Sequence, residues 1–111
     1  MTTEYRVTFA WADDPATVED HAERVADAFA AAVPEHGPAV GANLRTGNLE
    51  VTFTIDAESG PIDDLTARAS RVFASGTAAS GLYPQADEVR IVRVEVVAVE
   101  AEKRERALQP A

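Results

Sequence analysis

The sequence predicts an α+β fold: a four-stranded antiparallel sheet with two helices on one face. Three observations lead there. Several segments alternate apolar and polar residues with a period of two, the mark of a half-buried strand. Two others repeat their apolar residues at helical spacing. Their order along the chain is β-α-β-β-α-β, with a tight turn between the middle strands.

The first strand is Glu4 to Ala12. Tyr5, Val7, Phe9 and Trp11 fall on one face, and Glu4, Arg6, Thr8 and Ala10 on the other. Asp13-Asp14-Pro15 follows, with Asp14 placed as an N-cap and Pro15 at the first helical position. The helix then runs to about Val33. Val18, Ala22, Val25, Phe29, Ala32 and Val33 form one apolar stripe, and Pro34 ends it. Glu35-His36-Gly37-Pro38 reads as a solvent-exposed loop.

Two short strands, about Ala39 to Arg45 and Leu49 to Asp56, flank Thr46-Gly47-Asn48 as a hairpin. A loop centred on Gly47-Asn48 sets Leu44 opposite Val51, Ala42 opposite Phe53 and Val40 opposite Ile55. The same register pairs Arg45 with Glu50 on the other face.

Ser59-Gly60-Pro61 opens the second helix, with Asp63 and Asp64 in its positive first turn. Ile62, Leu65, Ala69, Val72 and Phe73 share a face. Gly76 and Gly81 predict fraying within Ser75 to Gly81. The last strand, about Val89 to Glu100, alternates Val92, Val94, Val96 and Ala98 with Arg93, Glu95, Val97 and Val99. Its phase breaks near Ile91-Val92, which predicts a bulge. Residues 1–100 read as one domain, and 101–111 as a charged C-terminal tail.

This order resembles the ferredoxin-like split β-α-β-β-α-β arrangement, strand order 4-1-3-2. The resemblance is one of fold pattern over residues 4–100, and that pattern carries many unrelated functions.

Composition narrows the function classes. The 111 residues carry 19 acids and 10 bases, a net charge of -9. The acidity sits in the first half, where 13 acids face only Arg6, Arg24 and Arg45. Such a surface repels nucleic-acid phosphates and anionic membranes. RNA binding through this fold would place aromatic residues on the open sheet face, but the alternation puts Tyr5, Phe9, Trp11 and Phe53 on the helix-facing side. With no cysteine, disulfides, thiolate metal sites and cysteine nucleophiles are excluded. The start of the chain lacks the apolar run of a signal peptide, which points to the cytoplasm.

No motif assigns catalysis, a metal or a cofactor. Asp13-Asp14 and Asp63-Asp64 are read as helix-opening acids. Ser75 to Gly81 lacks the ending of a phosphate loop and is read as a helix exit. The pattern therefore favours a small non-catalytic interaction or regulatory module acting through self-association or protein binding. An overhanging last strand, longer than its neighbour, is the expected seam of a homodimer, with Arg93, Glu95, Val97 and Val99 at the interface. Two other classes fit the same fold. One is a cofactor-independent enzyme or small-ligand binder of the dimeric α+β barrel type, with Tyr5, Trp11, His21 and Tyr83 as the lining. The other is a structural subunit of a larger assembly.

Overall fold

The computed structural model describes residues 2–58, 62–83 and 89–99. The elements are β1 (Thr2–Ala12), α1 (Val18–Ala32), a 3-10 turn (Pro34–His36), β2 (Ala39–Asn43), β3 (Asn48–Glu58), α2 (Ile62–Ser80) and β4 (Ile91–Ala98). The sheet is antiparallel throughout, in the order β2-β3-β1-β4. This is the order the sequence predicts. The expected opening at Ser59-Gly60-Pro61 and the tail at 101–111 lie outside the described residues.

The core forms where the predicted faces meet. Val7, Phe9 and Trp11 of β1 and Leu49, Val51, Phe53 and Ile55 of β3 are buried against Val18, Val25 and Phe29 of α1 and Leu65, Ala69 and Phe73 of α2. Phe73 is the hub. Its ring stacks on Phe9 with centroids 4.4 Å apart, and meets the edge of Trp11 at 5.2 Å. Both separations suit aromatic attraction.

Four local expectations change or sharpen. First, α1 begins at Val18 rather than at Pro15. The Asp14 side chain accepts the amide of Ala16, and its carbonyl accepts those of Thr17 and Val18, so a separate turn precedes the helix. Second, the hairpin pairs Val40 with Val51 and Ala42 with Leu49. The cause is Asn43, whose Oδ1 accepts the amides of Arg45 and Thr46 while its carbonyl accepts that of Gly47. That closes the turn over Leu44 to Gly47 and moves the pairing by an even step. The apolar face survives, but Leu44 is left 59% exposed and Arg45 does not face Glu50. Gly47 has φ +77° and lies so close to Pro15 that a Cβ would stand 2.7 Å from its ring.

Third, α2 ends only at the far side of the expected Ser75 to Gly81 window: it stays helical through Gly76 and stops at Ser80, before Gly81 at φ +71°. A Cβ at Gly76 would stand 2.3 Å from the Phe29 ring, so the glycine is where the two helices touch. Fourth, β4 ends at Ala98 and, at 8 residues, is shorter than β1 at 11, so it does not overhang. The predicted bulge is present: Ala10 pairs with Arg93 and Trp11 with Ile91, leaving Val92 as the extra residue.

His36 also departs from the exposed loop expected for it. It is half-buried, with its Nδ1 2.8 Å from the Thr54 carbonyl, while Thr54 donates back to the His36 carbonyl. The pair extends the edge of β3 beyond the start of β2.

Candidate functional site

Two features of the molecule bear on function: a polar cluster at one end of β1, and the outer side of β4. The cluster is centred on Asp13, at the exit of β1. Asp13 Oδ2 lies 2.8 Å from His21 Nδ1 and accepts the Tyr83 hydroxyl at 3.2 Å. Tyr83 in turn accepts the Trp11 indole N–H at 2.9 Å. Asp13 Oδ1 accepts the amide of Asp14 at 2.7 Å and lies 3.3 Å from the Thr17 hydroxyl.

Burial pushes the Asp13 carboxyl up, but the hydrogen bonds from His21, the Asp14 amide and Tyr83, together with the charge of His21, outweigh it. Asp13 therefore titrates below its ordinary value. An ionised carboxylate only accepts, so His21 Nδ1 carries the proton in this contact. Burial is also the main cause that pushes Tyr83 up to about 12, helped by the neighbouring Asp13 charge and opposed by the Trp11 hydrogen bond. Tyr83 thus stays neutral and donates.

Of the four expected lining residues, the fold brings Trp11, His21 and Tyr83 together and leaves Tyr5 apart. Tyr5 lies six residues back along the strand, about 20 Å away at strand rise. The hub itself, Asp13, was expected to do no more than open a helix. The signal that could have found it is the position of His21 on the first helical turn, facing the end of β1.

Tyr83 also lines a cleft of about 390 Å³ between α2 and the start of β4, with Phe73, Ala74, Thr77, Ala78, Val89 and Ile91. A second cleft of about 500 Å³ lies on the open sheet face, over Ala10 and Gly41 and rimmed by Asn43, Asn48, Glu50 and Arg93. Its charged groups are satisfied by each other: Arg93 reaches across Ala10 to Glu50 at 2.8 Å. Among the described residues, no group of three or more His, Asp or Glu side chains is placed to hold a metal ion.

The outer side of β4 differs in kind. The helix-side residues of this strand stay partly open among the described residues, with Ile91 46%, Val94 47% and Val96 40% exposed; the bulge residue Val92 is 51% exposed. Of the expected interface residues, Arg93 and Glu95 are exposed, Val97 is half-buried and Val99 is buried, 8% exposed and beyond the strand end.

No family model matches the chain, and no curated protein sequence matches it. Among solved structures, the chain is similar to an uncharacterized protein from Thermotoga maritima. The two are 14% identical with a TM-score of 0.40, over 89% of this chain and 99% of that one. No helix among the described residues is long and apolar enough to cross a membrane.

Proposed function

We propose that this protein is a small, non-catalytic α+β module of the cytoplasm that works by self-association, with the outer side of β4 as its seam. One observation carries the reading. Among the described residues, four of the five exposed large hydrophobics lie on this one strand. Scattered apolar residues on a surface need no explanation, but a contiguous stripe beside an unpaired strand edge does. The Ile91 end of the stripe also borders the cleft against α2, which widens the apolar surface.

Sedimentation velocity tests this reading. Dimer is expected to accumulate as concentration rises to about 100 μM, well above the micromolar range of weak specific complexes. Monomer alone over that range overturns the reading.

A second reading, small-ligand binding without a cofactor, is favoured by the polar cluster of Asp13, His21 and Tyr83 and by the cleft that Tyr83 lines. A panel of small apolar and acidic compounds read by thermal shift tests it. Stabilisation by a compound, lost in His21→Ala, supports this reading; no shift with any compound counts against it.

A further inference from the structure

Resting on that reading, we infer the register of the seam: β4 pairs antiparallel with β4 of a second copy about a two-fold axis through Val94. The two sheets then join into one of eight strands, and each Arg93 stands opposite the partner's Glu95.

The strand presents two different faces. After the bulge, Arg93 pairs with Ala10 and Glu95 with Thr8, on the open face of the sheet; Val94 pairs with Phe9 and Val96 with Val7, on the helix side. Arg93 and Glu95 are 49% and 53% exposed, so both can reach outward. A two-fold axis perpendicular to the sheet keeps like faces together. Residues opposite one another must then come from the same face, which permits only registers that differ by whole two-residue steps.

Charge chooses among these registers. With Arg93 on the axis, Arg93 faces its own copy. With Glu95 on the axis, Glu95 faces its own copy. Like charges directly opposite on paired strands are destabilising. With Val94 on the axis, both arginines meet glutamates, and Val94 packs on Val94 beneath them on the helix side. With Val96 on the axis, Glu95 faces Val97 and no ion pair forms. Only the Val94 register satisfies both the charges and the apolar stripe. Arg93 already touches Glu50 at 2.8 Å and Glu95 at 3.6 Å within its own chain. Its planar group has five donors, enough to hold Glu50 and reach across the seam together.

The occupant is a second copy because the stripe is self-complementary. A symmetric seam needs one patch that fits itself, and an adjacent opposite-charge pair flanking an apolar residue is such a patch.

The chain has no cysteine, so the register can be read directly. Single substitutions Arg93→Cys, Val94→Cys, Glu95→Cys, Val96→Cys and Val97→Cys are each equilibrated in a reduced/oxidised glutathione buffer, and disulfide-linked dimer is quantified. Residues facing their own copy across an antiparallel pair stand about 4.5–5.5 Å apart at Cα, within disulfide reach. The Val94→Cys variant is expected to cross-link most, by about tenfold or more over its neighbours, since in this register a cysteine at 93, 95, 96 or 97 faces a different residue of the partner rather than itself. A maximum at another position overturns the register while leaving self-association through β4 intact. No cross-link at any of the five, with dimer still present in sedimentation of the unmodified chain, overturns β4 as the seam. Mixing supplies a second reading that needs no cysteine. Arg93→Glu and Glu95→Arg are each expected to associate about tenfold more weakly than the parent, and a 1:1 mixture to recover as heterodimer. No recovery on mixing, with both variants folded by circular dichroism, contradicts the charge pairing.

Discussion

The two edges of the sheet are finished in opposite ways. β2 is five residues long, follows Pro38, and is backed by α1. Its ends are closed as well: His36 holds the Thr54 carbonyl just before it, and Asn43 ties the turn just after it. β4 has eight residues, no proline, and large hydrophobics 40% to 51% exposed among the described residues. Short strands, prolines and covering helices are how proteins keep a sheet edge from pairing with another chain. One edge of this sheet is short, preceded by a proline and backed by a helix; the other is longer, without proline, and keeps exposed valines among the described residues. The contrast teaches that the bare edge is a feature of this chain rather than a general failure to protect its strands.

The largest expected effect falls on the unprotected edge. Val94→Lys sets two ammonium groups against each other at the seam and is expected to weaken self-association by about 100-fold, roughly 3 kcal/mol. Because Val94 is half exposed in the single chain, the melting temperature of the monomer should barely move. Sedimentation and a thermal melt at low concentration check the two halves separately. Dimerisation at the parent's strength would erase the contrast between the edges.

A smaller effect concerns how β4 is held on its inner side. Tyr83 stands ahead of β4 and ties its approach to β1 through Trp11 and Asp13. Tyr83→Phe leaves the indole N–H of Trp11, a fully buried residue, without an acceptor. The expected cost is about 1–3 kcal/mol of folding stability, read as the urea midpoint. An unchanged midpoint would mean that the clasp does not anchor this region.

The same clasp has a pH signature. The Asp13 carboxyl is depressed in the fold, so its contribution is present above its unfolded value of about 4 and fades as pH falls through the lower folded value. Asp13→Asn should therefore be less stable than the parent at neutral pH, and the gap should narrow in acid. Tyr83 acts on the alkaline side. Its folded value is raised to about 12, so its contribution is complete below about 10 and is lost as pH climbs between the two. Urea titrations of parent, Asp13→Asn and Tyr83→Phe across pH check both arms.

The smallest effect belongs to the protected edge. Ala42→Lys places a charge on exposed β2 and is expected to change stability by no more than about 0.5 kcal/mol, with no change in self-association. A large loss of dimer there would move the seam from β4 to β2.

Much of this was legible in the chain because it depends on periodicity. The alternation in β1 and β3, the helical stripes and the phase break at Ile91-Val92 all reflect which side of an element faces the core, and residue spacing encodes that directly. What escaped the sequence depends on single side chains acting at a distance. Asn43 closes the hairpin turn early and so shifts the pairing, although parity keeps Val40 facing inward opposite Val51. Gly76 reads as a weak helical residue in one dimension and is the contact point for Phe29 in three. Asp13 looks like a helix-opening acid until the fold brings Tyr83, 70 residues on, against it. The bare side of β4 was hidden for a related reason. Its valines alternate as a core strand's would, but whether helices extend over an edge strand is set by how two rods pack on four ribbons.

The most direct test sets the two edges side by side: sedimentation of the parent chain, Val94→Lys and Ala42→Lys over the same concentration series. The account predicts that the parent and Ala42→Lys form dimer together while Val94→Lys stays monomeric. All three running alike, whether as monomers or as dimers, would contradict it.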